Sequence, residues 1–542
     1  MYSLKRLRSA LADLWRDRAG NFAVLTAVVA VPMVGAAGLA LDYANMSRSR
    51  AELQNALDAA VLAVAQRGDG VSDAEAQRIA ASFLTGNLAQ AYRNMAVVRN
   101  DTSVTLTAEL PTPLSFGGLF GLHEAVINAS STADMAFAYY EIALVLDTTG
   151  SMAGGKLTAM KEAVNGLIDD LSSRVTDKER LKFALVPFAT FVNVGAQFAP
   201  RFDQKGRIIP GSGADWLDLK GVSPVPQLDL KPGLSRFEVA HHLGQDWKGC
   251  VETRMPAGGA AHDVDDTPAD PRDPDSLFVP VFAIDEPQGG HYDNDYINSN
   301  VSEFGVSDEM EARRLERYGL MDAAKYVEEG AEDLTGYDLS PERWIKVRTS
   351  FGRTKGPSYG CGVKPITPLS NDYTDLKQKV RSFQAEGNTN IMEGVAWGMR
   401  VLSPEPPFTE GMEQKSDVEK IMIVLTDGAN NLGIKANMNH ALKSSYSSFG
   451  YLMEDRLTKE RNKQKVTEEM NRRTLEACQN AKGKGDITIY TIRLEEPDVA
   501  TGTLLRDCAT SLGHYFDSPS RSQLDQVFKR IRDGITKLRL SS

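Results

Sequence analysis

Two carboxylates and three hydroxyls of this 542-residue chain have types and spacing that suit a hard metal ion. Asp147 ends an apolar run (IALVLD), and Thr149 and Ser151 follow it at the second and fourth positions. Asp427 ends a second apolar run (KIMIVLTD), and Thr389 stands in a polar turn (GNTN) between the two runs. Carboxylate and hydroxyl oxygens are ligands that Mg²⁺ prefers. The types of these residues therefore suit a hard ion such as Mg²⁺, with Mn²⁺ and Ca²⁺ as alternative ions.

Two buried strands are needed to position these residues. Residues 142–146 and 420–425 are continuous apolar runs, typical of strands that are buried on both faces of a parallel sheet. Further strands alternate with helical patterns along the chain, which favours an α/β fold with a doubly wound, mostly parallel sheet. In such sheets ligands bind at the carboxyl ends of the strands. We therefore expect both carboxylates at the same sheet edge.

The motif Asp-x-Thr-x-Ser, followed by a loop Thr and an Asp after a later strand, resembles the metal-ion-dependent adhesion site of von Willebrand factor A (integrin-I-like) domains. Carried over by position, its ligands are the five residues named above. Thr149 stands where serine is commoner, and it keeps the hydroxyl. The resemblance covers residues 139–194 and 372–540. It implies an adhesion-type module, in which an acidic group of a protein partner binds the metal.

Two other functions remain open on the residues alone. The protein can be a structural scaffold of the cell envelope whose metal only stabilises the fold. It can also be a metal-dependent hydrolase, in which Glu393 acts as the general base. No HExxH or P-loop pattern is present. We therefore expect that the protein is not an enzyme.

Composition describes an ordinary, mildly acidic globular chain. The formal net charge is −11, with 42% hydrophobic and 25% charged residues. Such a charge disfavours nucleic acid as a partner, and the hydrophobic content suffices for a sizeable core. The length predicts several domains.

An uncharged segment near the N-terminus predicts a membrane anchor. Residues 22–41 carry no charge, and a bilayer is crossed by roughly 20 apolar residues. A basic tail precedes them, which places the N-terminus in the cytoplasm and the rest of the chain outside. We predict a retained transmembrane helix at residues 22–42. A cleaved secretory signal is the alternative.

Residues 20–43 and the Ala-rich helical pattern at 51–66 resemble the N-terminal region of TadG-like proteins of Tad/Flp pilus assembly. Those proteins combine such an anchor with a C-terminal A domain. Five residues after Gly20 stands Leu25, where processed pilins carry Glu, and this favours a permanent anchor. The resemblance implies a single-pass protein of the bacterial inner membrane, with its C-terminal domain in the periplasm or at the cell surface. It also implies pilus or cell-envelope components as partners.

Periodicity and composition suggest how the chain is divided. We predict six segments: a cytoplasmic tail (1–21), a transmembrane helix (22–42), a juxtamembrane α+β region (43–137), the first part of the A domain (138–194), an insertion rich in Pro, Gly and Asp (195–371), and the second part of the A domain (372–542). Within them we expect a helix at 72–95 and a strand hairpin at 181–194. Asp293 and Asp295 form a weaker Ca²⁺ candidate in the insertion, which is either a lid near the metal or a separate surface.

Four cysteines lie beyond the anchor. An oxidising compartment favours disulfides, and four cysteines allow three pairings. Cys478 and Cys508 lie in the helical patterns that flank one predicted strand, and a right-handed crossover places such helices side by side. We therefore predict Cys478–Cys508, which leaves Cys250–Cys361 within the insertion. Four free thiols are the alternative.

Overall fold

The computed structural model describes residues 20–67, 71–100, 103–134, 139–175, 177–257, 261–286, 294–297, 315–320, 355–415, 418–434, 442–518 and 520–538. The chain forms two compact units that divide between residues 137 and 138. We call them the N-terminal unit and the C-terminal unit. Asp293 lies outside the described residues. The helical patterning of residues 304–333 also predicts a helical pair, and most of these residues lie outside the described ones too.

The N-terminal unit combines two helices with a three-stranded antiparallel sheet in the order β1-β2-β3. Its elements are α1 (Gly20–Ala65), α2 (Asp73–Asn87), β1 (Arg93–Arg99), β2 (Ser103–Pro113) and β3 (Glu124–Asp134). Alternate residues of β2 are buried, as the period of a strand requires. They share a core with Leu53 and Leu57 of α1. The predicted helix at 72–95 is too long, because α2 ends at Asn87 and Met95 lies in β1.

The first helix of the N-terminal unit is the one membrane-span candidate among the described residues. Its segment Val28–Ala65 is long enough to cross a bilayer and contains an apolar window of 18 residues, of which 11% is buried inside the protein. Pro32 lies inside α1 without ending it. Such a proline is common in membrane helices.

The C-terminal unit alternates strands and helices. Its strands are β4 (Tyr139–Asp147), β5 (Leu181–Phe188), β6 (Val192–Asn193), β7 (Cys250–Glu252), β8 (Val279–Pro280), β9 (Thr367–Ser370), β10 (Val418–Thr426), β11 (Thr488–Leu494) and β12 (Tyr515–Ser518). Its helices are α3 (Gly155–Ser172), α4 (Arg236–His242), α5 (Tyr373–Ser382), α6 (Ile391–Arg400), α7 (Lys463–Gly483), α8 (Val499–Cys508) and α9 (Leu524–Leu538).

Six of these strands form one sheet in the order β12-β11-β10-β4-β5-β9. All neighbours are parallel except the edge strand β9, which is antiparallel to β5. The predicted mostly parallel, doubly wound sheet is therefore confirmed. From the central strand β4 the chain first extends the sheet towards β5, and later returns to the other side of β4 as β10. The topological switch point thus lies between β4 and β10.

The central strand β4 is buried on both faces. Ile142, Leu144 and Leu146 pack in the core that includes α3, α5 and α9. Ala143 and Val145 pack in the opposite core, which includes α6, α7 and α8. This two-sided burial is the reason why β4 is a continuous apolar run without alternation.

The insertion is built around a second, antiparallel sheet in the order β6-β7-β8. The predicted hairpin at 181–194 is therefore wrong. Both edges of β5 are already paired, with β4 and β9, so β6 pairs with β7 instead. Because β9 belongs to the main sheet, the chain returns to this sheet at Thr367, ahead of the expected residue 372.

Aromatic side chains join the insertion to the core of the main sheet. Phe278 lies in the insertion, and its ring centroid is 4.9 Å from that of Trp397 on α6. Trp216 and Phe237 belong to the same continuous core. The described part of the insertion therefore packs on the α6 face of the main sheet.

The structure contains the disulfides Cys250–Cys361 and Cys478–Cys508, the two pairs that the sequence predicts. Their Cα atoms are 5.8 Å and 5.3 Å apart, within the usual range. The second bond joins α7 to the end of α8. Of the weaker Ca²⁺ candidates, Asp295 accepts a hydrogen bond from Lys355 Nζ at 2.6 Å.

Candidate metal centre

The two predicted carboxylates lie together at the switch point. Asp147 is the last residue of β4, and Asp427 follows directly after β10. These strands are parallel neighbours with Leu146 opposite Leu425, so their carboxyl ends are level. Thr426 Oγ1 donates a hydrogen bond to Asp147 Oδ2 at 2.6 Å, which links the two strand ends directly.

The three predicted hydroxyls fill the space between the carboxylates. Ser151 Oγ donates to Asp427 Oδ1 at 2.7 Å, and it lies 3.0 Å from Thr149 Oγ1. Thr389 Oγ1 is 3.4 Å from Thr149 Oγ1. The backbone N–H of Thr149 donates to Asp147 Oδ1 at 2.8 Å. All five residues predicted from the sequence are therefore connected in one cluster.

Backbone hydrogen bonds hold the loops that carry these side chains. Gly150 N donates to Gly387 O at 3.0 Å, and Glu386 N donates to Thr148 O at 2.8 Å. These two bonds tie the loop after β4 to the loop between α5 and α6. Asn431 N donates to Thr389 O at 2.9 Å, which joins the loop after β10. The oxygen atoms of the candidate site are thus positioned by three interlocked loops.

The cluster has the electrostatics of a cation site. Asp147 is fully buried, and this burial raises the pKa of its carboxyl to about 6. The negative charge of Asp427 acts in the same direction, while hydrogen bonds from Thr149 and Thr426 act against it. A bound cation would relieve the repulsion between the two acids. Two carboxylates with neutral hydroxyls also match the oxygen set of Mg²⁺, so the residues present fit this ion.

The donor set differs from that of a site rich in acids, cysteines or histidines. Across the described ranges no group of three or more His, Cys, Asp or Glu is placed to hold a metal. The centre described above contains only two such residues, and its other oxygens come from Ser and Thr. Such neutral ligands transfer little charge to the metal, so a bound ion stays electrophilic.

A lysine that the sequence analysis did not single out completes the cluster. Lys156 Nζ lies 2.6 Å from Asp427 Oδ2, and the Asp427 side chain is fully buried. Lys156 stands in the first turn of α3. A lysine is unfavourable at this position because the helix N-terminus is already positive. The presence of Lys156 there was therefore a sequence signal of a nearby acid. In this arrangement Lys156 neutralises Asp427 and would compete with a bound metal for its oxygen.

We expect Lys156→Met to tighten Mg²⁺ binding about tenfold, which corresponds to ~1.4 kcal/mol. The substitution keeps most of the apolar stem and removes the charge that repels a divalent ion. Calorimetric titration of the full chain with MgCl₂ measures the change. Lys161→Met is the matched control, because Lys161 lies on the same helix and donates to Arg381 O instead. If Lys156→Met binds Mg²⁺ with unchanged affinity, the Lys156 ammonium group does not compete with Mg²⁺ for Asp427.

The candidate general base Glu393 is engaged elsewhere. Its side chain is buried, and its carboxylate accepts a hydrogen bond from Thr253 of the insertion. Burial raises the pKa of Glu393. Thr253 Oγ1 also lies 2.8 Å from Ser448 Oγ, to which Asn390 donates at 3.0 Å. These contacts assign Glu393 a structural part in joining the insertion to α6.

Comparison with known proteins gives one family match. Residues 20–67 match the family described as "Putative Flp pilus-assembly TadE/G-like". Among curated proteins no sequence matches this chain.

Several solved structures are similar to parts of the chain. They include the pilus adhesin SpaC from Lactobacillus rhamnosus GG (10% identity, TM-score 0.32, covering 82% of this chain and 35% of that one), the vWF domain of the type V pili tip protein Mfa5 from Porphyromonas gingivalis (9%, 0.31, 74% and 95%), and the PilB minor pilin from Streptococcus sanguinis (11%, 0.32, 83% and 79%). The chain spans about a third of the length of SpaC. At such low TM-scores these likenesses do not define a function. The family match, in contrast, confirms for residues 20–67 the resemblance to TadG-like proteins of Flp pilus assembly.

Proposed function

We propose that this protein is a membrane-anchored binding module that uses Mg²⁺ to bind an acidic group of a protein partner, in Tad/Flp pilus assembly or surface attachment. The proposed metal ligands are Asp147, Thr149, Ser151, Thr389 and Asp427. Bound Mg²⁺ would supply an electrophilic position for a carboxylate oxygen of the partner. Mn²⁺ and Ca²⁺ are the alternative ions.

The observation that carries the proposal is the convergence of three distant segments on one cluster. The β4 loop, the loop before α6 and the loop after β10 come from three separate parts of the chain. They bring together two acids, three hydroxyls and no other carboxylate in the hydrogen-bonded cluster. Lys156 neutralises Asp427, and the second buried acid beside it, Asp147, still favours a cationic ligand at this edge.

Gly428 leaves room beside the cluster. A Cβ at this position would lie 3.2 Å from Thr389 Oγ1 and 3.6 Å from Ser151 Oγ. A larger side chain there would crowd the proposed ligands. The glycine therefore keeps space at the centre for an ion and for an oxygen of the partner.

The proposed setting follows from the N-terminal unit. We propose that residues 22–42 span the bacterial inner membrane once, and that the C-terminal unit lies in the periplasm or at the cell surface. The apolar part of α1 and the family match at residues 20–67 support this setting. The partners are then pilus or cell-envelope proteins, and nucleic acid is not among them.

A metal-dependent capture experiment tests the proposal. The full chain, purified in detergent and immobilised, is mixed with envelope extract in Mg²⁺, in EDTA, and in Mg²⁺ restored after EDTA. We expect a partner protein that is retained only in the two Mg²⁺ samples. Asp427→Asn abolishes this retention, because it removes one of the two charges that hold the ion. Asp375→Asn, a half-exposed acid on α5, is the control and keeps it.

Each outcome of this experiment separates the candidate functions. A partner that is retained regardless of metal and of Asp427→Asn contradicts the adhesion-type function and favours the envelope scaffold. Release of a cleaved partner fragment in Mg²⁺ favours the hydrolase. Retention that follows both the metal and Asp427 supports the proposed function.

A further inference from the structure

We propose that the β2–β3 loop, residues 114–123, inserts into the same bilayer leaflet as the C-terminal part of the apolar segment of α1. The protein then contacts the membrane at two places, through a spanning helix and through an inserted loop. This inference rests on the proposed membrane anchoring of α1. The occupant of the loop surface is the acyl-chain layer of the bilayer.

The first observation is the composition and exposure of the loop. Residues 113–122 read PLSFGGLFGL and carry no charge. Leu119, Phe120 and Leu122 are 77%, 68% and 61% exposed. Single exposed apolar residues are normal, but a contiguous exposed group of this kind marks an interaction surface. Exposure of these apolar side chains to water is therefore unfavourable.

The second observation is the attachment of the loop to α1. The Asp42 carboxylate accepts backbone hydrogen bonds from Ser115, Phe116 and Gly117 at 2.8, 2.9 and 2.7 Å. Phe116 packs so closely on Gly38 that a Cβ there would lie 2.4 Å from its ring. The loop is therefore held beside the helix, within one compact unit.

The third observation is where along the helix the loop lies. Leu119 and Phe120 line one apolar cleft together with helix residues between Ala30 and Leu39. At 1.5 Å per residue this stretch is roughly 14 Å long, about half of a hydrocarbon core. The helix residues in question belong to the uncharged segment 22–41. If that segment crosses the bilayer, the loop side chains lie at the depth of the acyl chains.

The fourth observation is that the loop backbone is suited to lipid. A polar backbone group must find an internal partner in the hydrocarbon layer. Asp42 accepts three of the loop N–H groups, as described above. Leu119, Gly121 and Leu122 donate to carbonyls within the loop, through the 3-10 turn Gly117–Phe120. A loop that served only as a protein-docking surface in water would not need this internal pairing.

Site-specific fluorescence quenching tests the inference on the full chain. The native cysteines of both disulfides are bonded and no free cysteine is present in the described chain, so one added cysteine takes the dye. Phe120→Cys carries the NBD dye in the loop, and the exposed position tolerates it. Val34→Cys on α1 is the membrane reference, and the exposed Val499→Cys of the C-terminal unit is the water reference. The proteins are reconstituted in vesicles of phosphatidylethanolamine and phosphatidylglycerol, with or without doxyl-labelled acyl chains.

We expect the doxyl lipids to quench NBD at residue 120 about as strongly as at residue 34. We expect NBD at residue 499 to remain unquenched. Quenching at residue 34 without quenching at residue 120 overturns the inserted loop and leaves the anchor intact. In that case blue-shifted emission at residue 120 identifies a protein partner or a second copy as the occupant. If residue 34 is also unquenched, the membrane anchoring itself fails, and the inserted loop fails with it.

Discussion

We expect Asp147→Asn to weaken Mg²⁺ binding by the full chain at least about hundredfold, or ~2.7 kcal/mol. The substitution removes one of the two negative charges that face the proposed ion in a fully buried position, where charge interactions are strong. The asparagine oxygen can still accept the backbone N–H of Thr149. Calorimetric titration with MgCl₂ measures the affinity, and circular dichroism confirms that the fold is retained.

The matched control for this variant is Glu393→Gln. Glu393 is a buried acid in the same unit, and its carboxylate contacts Thr253 and not the metal cluster. We expect it to bind Mg²⁺ as the natural chain does. Equal affinity of the natural chain and Asp147→Asn would contradict the metal assignment.

Thermal unfolding of Asp147→Asn without metal gives a second readout. Burial raises the pKa of Asp147, so a neutral side chain there does not lower stability at neutral pH.

The second large effect is expected from removing the Cys250–Cys361 disulfide. The two residues are 111 positions apart, so the bond closes a long loop in the unfolded chain. Loop-closure entropy then predicts a loss of about 5 kcal/mol in the free energy of unfolding when both residues become Ala. Urea unfolding of the detergent-purified chain measures it, with tryptophan fluorescence reporting on the aromatic core shared by the insertion and α6.

The other disulfide is an internal control. Cys478 and Cys508 are 30 positions apart, and the same relation predicts about 4 kcal/mol for their removal. We therefore expect the 250/361 double variant to be the less stable of the two. The reverse order would show that the insertion is held by its packing on α6 and not by the covalent closure of its ends.

Much of the candidate site was predictable because its signals are local. Asp147 ends a strand and Thr149 and Ser151 follow it within four residues, and a strand buried on both faces is visible as a continuous apolar run. Asp427 ends a second run of this kind. Parallel strands of one sheet present their carboxyl ends on the same edge, so strand type alone placed both acids together. The polar turn at 387–390 is also a local signal, and the resemblance to A domains then selected Thr389 within it.

The strand partners at the margins of the sheet were not predictable in this way. Residues 181–194 have the composition of a hairpin. In the structure, however, β5 pairs with β9 and β6 pairs with β7. Composition shows that a segment favours a strand, but the choice of partner depends on which sheet edge is free. The helical spacing at 72–95 did not decide the structure of its last residues either. Residues 93–99 form a strand, because pairing with β2 stabilises them more than a helix would.

By itself the sequence determined the type of most elements, the apolar character of α1 and the chemistry of the candidate oxygen ligands, because periodicity, length and side-chain chemistry are local properties. The tertiary structure decided what meets across long separations. Lys156 and Asp427 are 271 residues apart, and their ion pair exists only because α3 begins beside the end of β10. The loop at Phe120 reaches the apolar segment of α1 for the same kind of reason, since Asp42 holds its backbone there. Contacts of this kind depend on the packing of whole elements, which no short stretch of residues encodes.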